Sequence, residues 1–197
     1  MGSLCKVIKN GSDSNNQTIE QSNNIYTTYN LILNTSLYKI PSQTKIGHVH
    51  LKVSDLEKAL AFYQGLLGFE ITQRYGDQAV FISAGGYHHH IGLNTWYSKN
   101  APPAPQRACG LFHTAILYPT RKDLAVILKR LTDAGYPLTG AADHGVSEAL
   151  YLDDPDGNGV ELYWDKPRDL WPFDDRGQLM MVTEHLDLPG LLKELND

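Results

Sequence analysis

The residues best suited to chemistry are imidazoles, and they cluster. Of eight histidines, two lie in Ile46-Gly47-His48-Val49-His50-Leu51-Lys52-Val53, three form the run His88-His89-His90, and the others are His113, His144 and His185. Val49, Leu51 and Val53 alternate with His48, His50 and Lys52, so a strand here turns both imidazoles to one face. A carboxylate, Glu161, sits mid-way along Gly159-Val160-Glu161-Leu162-Tyr163-Trp164, sharing a face with Gly159 and Tyr163. Flanked by apolar neighbours, it needs a partner, because an unpaired buried charge is prohibitive. A divalent ion would supply one.

Two stretches built on one plan must position these groups. In the first, the His48–His50 strand is followed by Asp55 as cap of a helix carrying Leu56, Ala59, Leu60, Phe62, Tyr63, Leu66 and Leu67, stopped by Gly68. Strands are predicted at 69–74, 78–83 and 88–96, divided by Gly76-Asp77 and Gly85-Gly86 turns. The second opens with the strand 111–118. A helix from Thr120 to Ala134 follows, with Thr120 and Asp123 as a capping-box variant and Gly135 as the stop. Strands are predicted at 137–140, 148–153 and 159–164, the last pair joined by Asp154-Pro155-Asp156-Gly157-Asn158. The pattern is βαβββ twice, an α+β chain: residues 45–97, a Pro-rich linker 98–110, and residues 111–166. Residues 1–44, rich in Asn and Ser, read as a flexible extension. In the tail 167–197, residues 178–183 are expected as a short edge strand, and Asp187 as cap of a last helix.

Composition sets the outer bounds. The 197 residues are 42% hydrophobic and 20% charged, enough apolar surface to bury a core without staples. A net charge of −5 with scattered Lys and Arg argues against nucleic-acid binding. No apolar run approaches the roughly 20 residues that cross a bilayer. Two cysteines, Cys5 and Cys109, make no disulfide framework, which favours a reduced, cytoplasmic chain. The start Met1-Gly2-Ser3-Leu4-Cys5-Lys6 has Lys where a myristoylation site wants Ser or Thr.

The run 47–56, with Phe62-Tyr63 and Leu67-Gly68-Phe69 after it, resembles the opening of a module of the vicinal oxygen chelate superfamily. Asp154-Pro155-Asp156-Gly157-Asn158-Gly159-Val160-Glu161-Leu162-Tyr163 resembles the closing hairpin of the same superfamily, which includes glyoxalase I, bleomycin-resistance proteins and type I extradiol dioxygenases. The runs 87–96 and 143–151 are closest in character to catechol 2,3-dioxygenase-type proteins. This resemblance implies a cup-shaped, incompletely closed mixed β-barrel made from the two modules. Its ligand positions fall on His48, Gly92, His113 and Glu161, so the implied metal ligands are His48, His113 and Glu161. Two imidazoles and a carboxylate with open sites are the set of non-haem Fe(II) oxygen chemistry, and Mn(II) can replace Fe(II). The ion would keep one positive charge for a mono-anionic diol.

The resemblance further implies His90, Tyr151 and His144 as catalytic groups, with Asn94, Trp96 and His50 lining the substrate wall. The implied function is an extradiol dioxygenase cleaving an aromatic vicinal diol with O₂, as a monomer or homodimer. The alternatives are a glyoxalase-like lyase or isomerase, which Gly92 disfavours because that reaction places a second carboxylate there, and a non-enzymatic aromatic-ligand binder. Strand alternation is expected to send His89 away from the cup. Residues 154–165 match the first half of a calcium loop, but they end in Asp165 and lie between strands, so a hairpin turn is expected instead.

Overall fold

The computed structural model describes residues 38–105 and 107–196. The extension expected over 1–44 therefore lies, up to residue 37, outside the described residues, as does Cys5. Residues 46–197 form one compact unit.

In that unit each βαβββ segment makes its own mixed sheet. The first contains β1 (Val49–Lys52), β2 (Glu70–Tyr75), β3 (Ala79–Ser83) and β4 (Ile91–Asn94) in the order β1-β4-β3-β2. The second contains β5 (Thr114–Leu117), β6 (Gly140–Asp143), β7 (Ser147–Asp153), β8 (Gly159–Asp165) and β9 (Glu184–His185) in the order β5-β8-β7-β6-β9. In each sheet the first strand runs parallel to the last strand of its segment, and the rest is antiparallel. The architecture is α+β, and the two sheets are not closed into a barrel.

The helices cover one face of the sheets. Helix α1 (Leu56–Leu60) starts at Asp55, whose side chain accepts from Lys58 N–H, and runs on as a wider π-wound stretch, Ala61–Leu66. That winding turns two consecutive aromatics, Phe62 and Tyr63, into the core. Helix α2 (Arg121–Asp133) is capped by Thr120, which accepts from Asp123 N–H. It buries Leu124, Ile127, Leu128 and Leu131, each contributing about 1.5–3 kcal/mol. Helix α3 (Leu188–Lys193) begins at Asp187, as expected from the tail. Among the described residues no helix is long and apolar enough to cross a membrane.

The two segments are locked together by polar contacts as well as core. Tyr63 Oη donates to Asp154 Oδ2 at 3.0 Å. Ser54 N–H donates to Asp156, and Lys58 Nζ to the Pro155 carbonyl. Asp154 also accepts from Asp156 N–H, Asn158 N–H and Asn158 Nδ2. The calcium-like run is thus the β7–β8 turn, its first acid fully used by the chain's own donors.

Several boundaries differ from expectation for identifiable reasons. The strand expected over 88–96 is only Ile91–Asn94. His88 and His89 bring their Nδ1 atoms to 2.7 Å, which puts neighbouring side chains together where strand alternation would part them. At the other end Trp96 N–H turns back onto Asn94 Oδ1. The strand expected at 137–140 begins at Gly140 instead, because Pro137 has no N–H and the first cross-strand bond is Thr139 N–H to the Tyr151 carbonyl. The edge strand expected at 178–183 appears at Glu184–His185, after the Asp174–Gln178 turn has consumed the preceding residues.

Candidate functional site

Strand register decides which side chains meet. On the second sheet Ala115 pairs with Glu161, and Glu161 with Tyr151. His113 lies two residues before Ala115, and therefore on the face of Glu161 and Tyr151. On the first sheet His50 pairs with Gly92, and His48 lies two residues before His50. The offsets match: His48 stands to Gly92 as His113 stands to Glu161.

His113 Nε2 lies 3.0 Å from Glu161 Oε2, with Glu161 largely sheltered from solvent. The Tyr151 hydroxyl lies 3.0 Å from the other carboxylate oxygen, Oε1, and 2.7 Å from His144 Nε2. His144 Nδ1 reaches the Val182 carbonyl at 2.8 Å. Burial and the neighbouring Glu161 carboxylate push the Tyr151 hydroxyl up to about 12. Two polar atoms beside this chain, His113 Nδ1 and Thr114 Oγ1, are buried with no partner.

Proton counting shows what this arrangement can do. The contacts from Val182 to His144, His144 to Tyr151 and Tyr151 to Glu161 require three protons. A neutral imidazole and a phenol supply two. The Tyr151 proton is therefore contested between His144 Nε2 and Glu161 Oε1, and the chain can take up one proton, which would rest on His144 Nε2.

The other expected site residues are distributed as follows. His48 and His90 line the same cavity as His113, a space of about 650 Å³ between the segment entering β1 and the β5 edge. The His48 ring rests 4.4 Å from that of His89. Among the described residues no three His, Cys, Asp or Glu side chains converge on one point. The structure thus brings His113 and Glu161 together and leaves His48 on the cavity wall. His90 Nδ1 accepts from Ala84 N–H at 3.3 Å and contacts Ser83 Oγ at 2.9 Å.

His50 lies between Phe81 and Trp96, with ring centroids at 5.8 and 5.4 Å. Burial, and then the nearby His48, lower its pKa below the ordinary imidazole value. Trp96 is half exposed beside it. Asn94 is buried with its side chain turned to backbone: Nδ2 donates to the Leu51 carbonyl and Oδ1 accepts from Trp96 N–H. It shapes the wall by holding Trp96. His89, expected to face away, instead packs against both His48 and Phe81, the latter at 4.9 Å; the irregular backbone before β4 removes the alternation on which that expectation rested.

Sequence reasoning missed Val182 and Ser83, which orient His144 and His90. Neither belongs to a motif, and only the fold brings each to its imidazole.

The model of the Glyoxalase/Bleomycin resistance protein/Dioxygenase superfamily matches residues 45–162. A catechol-2,3-dioxygenase of Bacillus subtilis (strain 168) is 41% identical over 159 residues, 80% of this chain and 54% of that protein. Biphenyl-2,3-diol 1,2-dioxygenase 3 of Rhodococcus globerulus is 32% identical over 122 residues, 61% of this chain and 63% of that protein. The chain thus spans between about half and under two thirds of the length of these relatives. Among solved structures, a glyoxalase/dioxygenase from Nostoc punctiforme superposes with a TM-score of 0.53 at 15% identity, covering 67% of this chain and 100% of that one.

Proposed function

Because the chain belongs to the Glyoxalase/Bleomycin resistance protein/Dioxygenase superfamily, we propose that it is an Fe(II)-dependent extradiol dioxygenase acting with O₂ on catechol-type vicinal diols. The observation that carries this reading is the His113–Glu161 pair at 3.0 Å, backed by Tyr151 and His144. The names of the two curated relatives support a diol as the substrate class.

The donor set fits a divalent cation. Neighbouring ligands around an ion with bonds of about 2.1 Å stand roughly 3 Å apart, the separation of His113 Nε2 and Glu161 Oε2. We assign His113, Glu161 and the cavity-wall His48 as ligands. Bound there, Fe(II) supplies Lewis acidity and one-electron chemistry toward O₂, and Mn(II) suits the same donors.

The rest follows from the chain's own groups. As a substrate hydroxyl gives its proton to the Tyr151 oxygen, the proton already there passes to His144 Nε2, where the added charge comes to rest. His90, its Nδ1 held by Ala84 and Ser83, is the acid on the cavity wall. His50 and Trp96 offer aromatic faces on which a planar ring can stack. A glyoxalase-like reaction lacks its second carboxylate, since position 92 is glycine and the His50 ring lies over it.

The test is oxygen uptake by anaerobically iron-loaded protein against a panel of substituted catechols. Uptake that needs both iron and a vicinal diol is the expected result. Iron bound at about one per chain without uptake on any catechol would overturn the proposal in favour of a lyase or a binder. Replacing His90 by Ala should spare the iron and slow turnover by about 10²–10⁴-fold.

A further inference from the structure

The segment that follows β8 returns to His144 and meets it twice. Val182 N–H donates to the His144 carbonyl at 3.1 Å, and the Val182 carbonyl lies 2.8 Å from His144 Nδ1. This reciprocal pair is anchored on both sides. Just beyond it, β9 adds to the edge of β6 through Ala142–His185 and Asp143–Glu184, and Leu186 and Leu191 are buried in the core. Just before it, Met180 N–H donates to the Pro172 carbonyl. Pro172 and Val182 close over Gly145: at φ +77°, a Cβ there would lie 3.2 Å from Pro172 Cγ and 3.4 Å from Val182 Cγ2. The neighbouring Asp143 is held by Lys166 Nζ and by Gly145 N–H. His144 is thus set in a frame whose outer half is the C-terminal segment.

A carbonyl oxygen can only accept, so the nitrogen facing it carries the proton. The bond made by one ring nitrogen decides the state of the other. With Nδ1 protonated, a neutral His144 has a bare Nε2, and that nitrogen points at the Tyr151 hydroxyl at 2.7 Å. Thr183 Oγ1, at 3.5 Å from the same Nδ1, is too distant to compete.

We infer that the C-terminal segment is a positioning element of the candidate site: the Val182 carbonyl fixes His144 as its Nδ1–H tautomer and aims a bare Nε2 at Tyr151. The Tyr151 proton is thereby drawn toward His144, which eases its hold on Glu161. The functional meaning of this arrangement rests on the dioxygenase reading. The tautomer itself does not, since it requires neither metal nor substrate.

The experiment is ¹⁵N NMR of the imidazole nitrogens in the full chain, at a pH where the ring is neutral, with His144→Gln to assign the signals. The expected result is a protonated Nδ1 and a bare Nε2 at His144; an Nε2–H tautomer in the unmodified protein would overturn the inference. Val182→Pro removes the amide that pairs with His144 and should raise the Nε2–H population several-fold, whereas Val182→Ala keeps both backbone bonds and should leave it unchanged. An unaltered tautomer in folded Val182→Pro would also sink the idea, and if that variant does not fold, the unmodified protein decides alone. The two readings fail separately. A chain with the Nδ1–H tautomer that consumes no oxygen refutes the dioxygenase, and an active chain with the Nε2–H tautomer refutes the positioning role.

Discussion

The imidazole of His50 lies directly over Gly92, its partner on the neighbouring strand: a Cβ at position 92 would stand 2.8 Å from His50 Cδ2 and 3.0 Å from Nε2. Glycine here makes room for a ring on the face where, in the second sheet, Glu161 projects a carboxylate. Two modules of one plan have thus diverged at equivalent strand positions, one toward an aromatic wall and the other toward a donor pair.

Gly92→Ala should consequently disturb the wall more than the fold. The atoms met first belong to an exposed side chain that can swing aside, so the cost is expected to stay below about 1 kcal/mol, or about 2–4 °C in Tm. The displaced His50 leaves its place between Phe81 and Trp96. Binding of a planar aromatic, followed through Trp fluorescence, should weaken while thermal unfolding barely moves. A large loss of stability would show that the His50 ring is fixed in place.

Burial, and then the Glu161 charge, push the Tyr151 hydroxyl up to about 12. Glu161→Gln removes the charge but not the burial, so the pKa should fall from about 12 part of the way toward 10, read as phenolate absorbance against a Tyr151→Phe background. The sign for stability follows. Between pH 10 and 12 the unfolded chain releases this proton and the folded chain keeps it, so stability is lost as pH rises through that window. Tyr118, also raised to about 12, and Tyr63, raised further, act in the same direction. Tyr151→Phe should flatten alkaline unfolding without abolishing it.

Tyr63 and Asp154 form a buried polar contact between the modules. Tyr63 is fully buried, and its hydroxyl is one of four donors to a carboxylate that is 4% exposed. Tyr63→Phe keeps the ring and deletes one bond to a charged group, a loss of roughly 1.5–3 kcal/mol. The urea midpoint should fall with an unchanged slope. A lower slope as well would mean that the modules had ceased to unfold together.

How far the sequence revealed all this depended on range. The βαβββ repeat, the caps Asp55, Thr120 and Asp187, and the β7–β8 turn were legible because each rests on contacts a few residues apart. So was the shared face of Glu161 and Tyr163, which is strand periodicity alone. The placement of His88 and His89 was not, because their mutual contact breaks the period on which the reading depended. The family resemblance put Asn94 on the substrate wall, yet its amide serves the backbone at the end of β4. Val182 carries no sequence signal at all. Its part is played by a backbone carbonyl, and only the return of the tail along β6 brings it to His144.

The ligand assignment makes a graded prediction. His113 and Glu161 already stand at ligand spacing, so removing either takes away half of a preformed pair. His113→Ala and Glu161→Ala should abolish retention of Fe(II) or Mn(II), beyond the ~10–100-fold losses typical of outer-shell changes. His48 starts from a different position, on the wall of the same cavity with its ring against His89. A metal that recruits it must draw it from that contact, so part of the binding energy is spent on the movement. His48→Ala should therefore weaken binding measurably while leaving a residual two-donor site, and His89→Ala should tighten it by freeing His48. Calorimetric titration with Mn(II), which needs no oxygen exclusion and no turnover, checks all four variants. If His48→Ala binds as tightly as the unmodified chain, the third ligand lies elsewhere, and the cavity-wall histidine belongs to the substrate.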